Sequence, residues 1–237
     1  MCPYRWYLKY ICKLAGKEMF FASYGSFMHK LMEQYYNGEQ TPKQLCDSYL
    51  MGFKDKVIGK APNQKIFENY FKSGLQYLRE FQPLPYNKIG IEKKFKFNLD
   101  GISFIGYVDF LGEKDGEFVI VDHKSRALKP RSKRAKPTKA DEELDSYLTQ
   151  LYLYSAAIEE EYGKLPKLLC FNCFRTPILI EESFKWQAYE KSKIWAKNKI
   201  KEISGETKFR PDIEYFKCTH LCEMRDHCEY FDTAIRR

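Results

Sequence analysis

Long apolar runs are missing from this 237-residue chain: no uninterrupted hydrophobic stretch approaches the roughly 20 residues that a membrane-spanning helix needs. The opening residues, MCPYRWYLKYICK, carry too much charge and too short an apolar core for a secretory leader. Both absences argue against a membrane role and predict a cytoplasmic protein with no membrane partner. Internal repeats are also lacking, and one basic loop is the only compositionally biased stretch, so neither a solenoid nor a low-complexity chain is expected. Hydrophobic residues at 44% against 30% charged describe a globular chain long enough to bury a sizeable core. The net charge of +8 suits a polyanionic partner. Eight cysteines in a reducing compartment do not read as a disulfide framework; some are candidate metal or cluster ligands and the others buried thiols.

Periodicity divides the chain in three. Phe27, Met28, Leu31, Met32 and Tyr35 recur at three- and four-residue spacing, predicting a helix over 24–36 that stops at Asn37-Gly38. Thr41-Pro42 caps a second helix reaching about Gly59, and a third runs from about Asn63 to Phe81. From residue 88 the period changes to two. KIGIEKKFKFNL, the turn Asp100-Gly101, ISFIGYVDFLG, the turn EKDGE and EFVIVDHKS predict a three-strand meander. A polar loop over 126–142, a helix from Glu143 to Tyr162, strands in LPKLLCFNCFR and PILIEESF, and a Lys-rich helix over 184–204 follow. The expected organisation is an N-terminal helical region (1–86), an α/β core (87–208) and a C-terminal cysteine-bearing segment (209–237).

The chemistry concentrates in the meander. Side chains alternate along a strand, so Asp122 and Lys124 share a face, and pairing with the preceding strand brings Asp109 towards Asp122. Two neighbouring carboxylates in an apolar setting either share a proton or hold a cation. Oxygen ligands select a hard ion, Mg2+ or Mn2+, and a nearby lysine then completes the equipment for phosphodiester hydrolysis. An isolated D-x-K is more simply an ion pair at a strand end, and His29, Gln150 and Tyr154 each have ordinary structural readings alone. Their order along the chain carries more.

That order resembles the PD-(D/E)xK nuclease superfamily and its RecB-like branch, in which G-x-x-x-H on a helix, G-x-x-D on a strand, (D/E)-x-K on a strand and Q-x-x-x-Y on a helix succeed one another. Here they are Gly25–His29, Gly106–Asp109, Asp122-His123-Lys124 and Gln150–Tyr154, with Glu92 matching an acidic residue on the preceding strand. The resemblance implies a restriction-endonuclease-like α/β core, a mixed sheet flanked by helices. It implies a metal held by His29, Asp109, Asp122 and the carbonyl of His123, with Lys124 and Glu92 in catalysis and Gln150 and Tyr154 positioning DNA or the active-site strands.

Cys218, Cys222 and Cys228 are spaced C-x3-C-x5-C, and three ligands need a fourth. Zinc completed by His220 or His227 is one reading. Resemblance to the AddB nuclease domain and the CRISPR-associated exonucleases implies another: a [4Fe–4S] cluster whose fourth ligand is Cys2, in CPYRWYL, with Cys12 the alternative. Cys46, Cys170 and Cys173 are expected to pack.

Seven basic residues, Arg126, Lys129, Arg131, Lys133, Arg134, Lys136 and Lys139, follow the D-x-K strand directly and are either a solvated loop or a track for phosphates. The expectation is a metal-dependent DNA exonuclease acting on single strands or duplex ends, in CRISPR spacer acquisition beside an integrase or in phage or mobile-element recombination. The rival is a non-catalytic DNA-binding module within a larger nuclease or integrase complex.

Overall fold

Thirteen-residue runs of alternating burial form the first two strands, β1 (Asn87–Leu99) and β2 (Ile102–Lys114), which pair antiparallel along their whole length. The computed structural model describes residues 2–99 and 101–235; Asp100 of the predicted turn lies outside them, and Gly101 adopts φ +85°, where a side chain would strain the backbone. β3 (Glu117–Lys124) pairs antiparallel with β2, and β4 (Leu168–Cys173) pairs parallel with β3. β5 (Ile178–Ser183) closes the far side, giving a five-strand mixed sheet in the order β1-β2-β3-β4-β5.

The parallel pair needs a crossover, supplied by the helix α5 (Lys139–Tyr162). Its start lies four residues before the expected Glu143, because Thr138 and Asp141 form a reciprocal capping box. Asp141 also accepts from the backbone and hydroxyl of Ser132, both at 2.7 Å, and these donors hold its carboxyl well below the usual carboxylate range. The cap therefore anchors the proline-bearing loop as well as the helix, and Lys139 belongs to the helix.

Both faces of the sheet are covered. On one, Ile120, Leu169 and Phe171 meet Leu144, Leu148, Leu151 and Ile158 of α5 and Tyr189 of the final long helix, α6 (Trp186–Gly205). On the other, Val119, Val121 and Cys170 pack with Phe110 and Tyr86. Three N-terminal helices, α2 (Phe20–Tyr36), α3 (Pro42–Lys56) and α4 (Gln64–Arg79), share a second, aromatic-rich core that reaches Phe174 beyond β4. α2 begins at Phe20 rather than near 24, because Phe20 and Tyr24 are buried in that core. A short N-terminal helix, α1 (Pro3–Trp6), runs into a π-helical turn over Tyr7–Ile11. The tail has a further such turn over Lys217–Leu221 and a last short helix, α7 (Phe231–Ile235). Among the described residues no helix is long and apolar enough to cross a membrane.

Gly74 sets how closely α4 approaches α2 and α3. A Cβ there would stand 2.4 Å from the Tyr49 hydroxyl and 2.8 Å from that of Tyr24, both fully buried rings. Gly74→Ala is expected to cost about 1–3 kcal/mol through overpacking. A lower urea midpoint at unchanged denaturant slope would show it, and an unchanged midpoint would mean that the helices part freely here.

Candidate active site

One peptide unit of β3 organises the site. The backbone N–H of His123 donates to Asp109 Oδ2 at 2.7 Å, joining β3 to the G-x-x-D strand. The His123 carbonyl lies 2.9 Å from His29 Nε2 on α2. A carbonyl only accepts, so Nε2 carries the proton and Nδ1 of a neutral His29 presents a lone pair. That lone pair faces Asp109 Oδ2 at 3.5 Å and Glu92 Oε1 at 3.7 Å. Ligand atoms of His29, Glu92 and Asp109 all lie within 4.8 Å of one another. Three electron-rich atoms so close repel unless a proton or a metal ion sits among them.

The glycines of the motifs are contact points. Gly25, one helical turn before His29, would press a Cβ to 3.1 Å from Ser125 Oγ, just past β3, so its absence lets α2 lie against the strand end. Gly106 faces the Tyr154 ring, which a Cβ would meet at 2.6 Å. Tyr154 in turn accepts from Gln150 Nε2 at 2.8 Å, and Gln150 Oε1 stands 3.5 Å from Lys124 Nζ. Lys124 lies 2.6 Å from Asp122 Oδ2 and over the Tyr147 ring. The ion pair is off-axis, leaving Asp122 Oδ2 buried without an aligned donor. Below the sheet, Asn172 Nδ2 bridges the Tyr77 hydroxyl (2.7 Å) and His123 Nδ1 (3.1 Å), fixing the His123 ring away from the acidic cluster. A cavity of about 680 Å3 opens over Asp109, Asp122, Lys124 and His29.

The electrostatics follow. Burial, then the charge of Asp122, pushes Asp109 up to about 7. Burial raises Asp122 against the pull of Lys124. Burial lowers the His29 imidazole, but its bond to Glu92 and the charges of Asp109 and Asp122 outweigh that and raise it. The His123 ring, buried and beside His29 and Lys124, is held well below the usual range and stays neutral.

The succession of G-x-x-x-H, G-x-x-D, D-x-K and Q-x-x-x-Y, whose His29, Asp109, Asp122, Lys124 and Gln150 line one cavity, agrees with a match of residues 1–229 to the family model of the PD-(D/E)XK nuclease superfamily. The chain belongs to that superfamily. Among solved structures, it is similar to a Eubacterium rectale protein described as "Putative exonuclease", at 16% identity and a TM-score of 0.54 over 95% of this chain and 80% of that one, which shows a shared fold. The structure of SSO0001 aligns over 94% of this chain and 91% of its own, at 14% identity and a TM-score of 0.33, too low to carry argument. No curated protein matches the chain.

A second centre lies in the tail. Cys2, Cys218, Cys222 and Cys228 all line one cavity of about 200 Å3, and the backbone N–H of Asp212 donates to Cys2 Sγ at 3.4 Å. Cys12 is exposed and outside this cavity. Neither histidine considered for zinc lines it: His227 bonds the Ala15 carbonyl, and His220 packs against Tyr215 and Phe216. Among the described residues, no three of the thiols lie within 4.8 Å of one another. Cys170 and Cys173 belong to opposite faces of the sheet, as their spacing in a strand predicts.

The basic loop divides by function. Arg126 lines the cavity over Asp109 and Asp122 while contacting Glu143 and Tyr147. Arg131 does not join it: its guanidinium is shared between Glu182 (2.9 Å) and Asp145 (2.7 Å), pinning the loop to β5 and α5. Two carboxylates distant in sequence thus engage this loop arginine and anchor the loop to the core. Lys129, Lys133, Arg134 and Lys136 are exposed. Arg175, at the end of β4, was not marked by any motif, yet it lines the same cavity as Arg126.

Raised affinities at Asp109, Asp122 and His29 all act in one direction. Folded, metal-free protein binds more protons than the unfolded chain from about pH 4 to beyond 7, so its stability falls as pH rises through that window. In EDTA, the urea midpoint is expected to drop between pH 5 and pH 8, and Asp109→Asn to flatten the drop. An equally steep drop in Asp109→Asn would assign the proton to another group.

Proposed function

We propose that the chain is a divalent-metal-dependent deoxyribonuclease acting from DNA ends, with an iron–sulfur cluster in its tail. The observation that carries the nuclease reading is the proximity of His29 Nδ1, Glu92 and Asp109 beside the Asp122–Lys124 pair. The donor set is one imidazole and carboxylate oxygens, which suits Mn2+ or Mg2+. His29, Glu92, Asp109 and Asp122 would hold it; with its N–H spent on Asp109 and its carbonyl on His29, the His123 peptide serves first as their anchor. When bound, such an ion supplies positive charge against phosphate oxygens and makes water more acidic.

The protein's own part is to position and to stabilise. Lys124 stands at the rim of the acidic group with Gln150 beside it, so its ammonium can donate to a phosphate oxygen as negative charge accumulates there. Tyr154, seated on Gly106, holds Gln150, and Gln150 keeps Lys124 from swinging into solvent. Arg126 and the exposed Lys129, Lys133, Arg134 and Lys136 add positive charge beside the same opening, which suits a polyanionic strand. Spacer acquisition beside a CRISPR integrase and mobile-element recombination both need such end processing, and this reading serves either setting.

Among the described residues, four cysteines and no histidine line one cavity, which supports a [4Fe–4S] cluster held by Cys2, Cys218, Cys222 and Cys228. The Asp212 N–H aimed at Cys2 Sγ matches the donors that thiolate ligands attract. Such a cluster would fasten the first residues to the tail and add to folding stability.

End-labelled single-stranded DNA tests the nuclease. Anaerobically purified protein should cut it with Mn2+ or Mg2+ and not in EDTA, and Asp122→Ala should not cut. Lys124→Ala should lose about 10²–10³-fold in rate with binding nearly unchanged. Cutting that survives Asp122→Ala would sink the assignment. Iron and acid-labile sulfide analysis tests the cluster: both should be present in wild type and lost in Cys222→Ala, and a mutant that keeps its iron would remove Cys222 from the ligand set.

A further inference from the structure

The catalytic cavity has a second wall that none of the metal-site residues explains. Its members come from three separate places: Phe21 at the start of α2, Arg175 just past β4, and Phe216 in the cysteine tail. Phe21 and Phe216 stand 6.0 Å apart, Phe21 packs against Tyr70 at 5.2 Å, and the Arg175 guanidinium lies 4.2 Å above the Tyr70 ring. Phe216 is 41% exposed, a large apolar surface to leave in water on a cavity lip.

Arg175 is the unusual member. The other arginine lining this cavity, Arg126, is paired with Glu143, and Arg131 of the neighbouring loop is paired with Asp145 and Glu182. Arg175 has no carboxylate partner. Among the described residues its side chain makes one hydrogen bond, a long one of 3.4 Å to the Tyr70 hydroxyl, and its Nε is buried with no acceptor. A guanidinium held over a ring, short of acceptors and lining a cavity, is prepared for an anion with several oxygens. The cavity's own carboxylates, Asp109 and Asp122, are instead engaged by the His123 N–H and Lys124.

We infer that Arg175, Phe21 and Phe216 form a subsite for one unpaired nucleotide of the strand being cut, Arg175 taking a phosphate next to the scissile one and the two phenyl rings stacking its base. This rests on the nuclease reading above and adds the substrate class. A phenyl surface can stack only on a base whose face is free, so the subsite selects single-stranded over duplex DNA. It also makes the cysteine tail part of the substrate site, since Phe216 lies two residues before Cys218.

The test separates binding from cutting. Anisotropy of a labelled oligo-dT and of a hairpin duplex without overhangs is measured in EDTA, so no chemistry intervenes, and cutting of the same oligo-dT is followed separately with Mn2+. Wild type should prefer the single strand. Arg175→Ala should weaken oligo-dT binding about tenfold and lower its salt slope by about 0.7, the value for one lost phosphate contact on a single strand. Arg175→Lys should keep the slope and recover part of the affinity. Phe216→Ala should weaken oligo-dT binding about five- to tenfold while leaving duplex binding unchanged, and Phe216→Trp should restore it. Equal losses on single strand and duplex, or none in either variant while wild type still cuts, would overturn the subsite. A wild type that neither binds nor cuts DNA would instead overturn the nuclease reading itself. Circular dichroism and urea midpoints matching wild type exclude misfolding; if Arg175→Ala fails that check, the salt slope of Arg175→Gln decides.

Discussion

The peptide unit of His123 is the constraint on which the rest depends. Its N–H is given to Asp109 and its carbonyl to His29, so a strand, its neighbour and a helix are fixed by one planar group. Strand alternation then leaves Asp122 and Lys124 no choice of face, and the His123 side chain must go to the opposite one. There it is sealed by Asn172 and Tyr77, in surroundings that keep it neutral. Without that seal a charged imidazole would sit beside His29 and Lys124. The structure therefore separates two histidines by role: one ring is kept inert so that its backbone can orient the other.

The N-terminal segment and the tail need a different explanation. Arg5 and Lys9 reach Glu223, and Lys17 reaches Asp226, joining residues more than two hundred positions apart. The two lysine contacts are exposed, contribute little individually and are screened by salt, whereas Arg5 grips the half-buried Glu223 with two nitrogens, at 2.6 and 2.8 Å. Met224 is fully buried, but few other apolar groups in these segments are. So long a chain closure, held by so little buried surface, is what the proposed cluster would offset, and the shared cavity of the four cysteines is lined by both segments. The same tail supplies Phe216 and Leu221 to the catalytic cavity, so order in the tail is order in the site.

Local pattern made most of this legible. Period-two alternation placed β1, β2 and β3, and the motif spacings brought His29, Asp109, Asp122, Lys124 and Gln150 around one cavity, with Tyr154 behind Gln150, because each spacing is a statement about one face of one element. What local pattern missed was long-range in origin. The first turn of α2 is set by burial of Phe20 against distant rings and the placement of Arg131 by Asp145 and Glu182, whereas the early start of α5 is the exception, set by the local Thr138–Asp141 capping box. Arg175 was silent for the same reason: nothing about an arginine after a strand distinguishes it until its neighbours prove to lack a carboxylate.

Glu92 shows how far geometry sharpens a motif. It is a non-glycine residue at φ +45° within a strand, between the paired positions Ile91–Phe110 and Lys93–Val108 and so level with Asp109. Such a conformation costs on the order of 1 kcal/mol and persists only where the surroundings hold it. A glycine would relieve the strain, and a regular strand residue would avoid it. Neither would deliver a carboxylate to within 3.7 Å of His29 Nδ1 at this point of the sheet. The strain and the carboxylate are kept together, against the repulsion of Asp109 beside it, which makes sense only if something positive is meant to lie among the three.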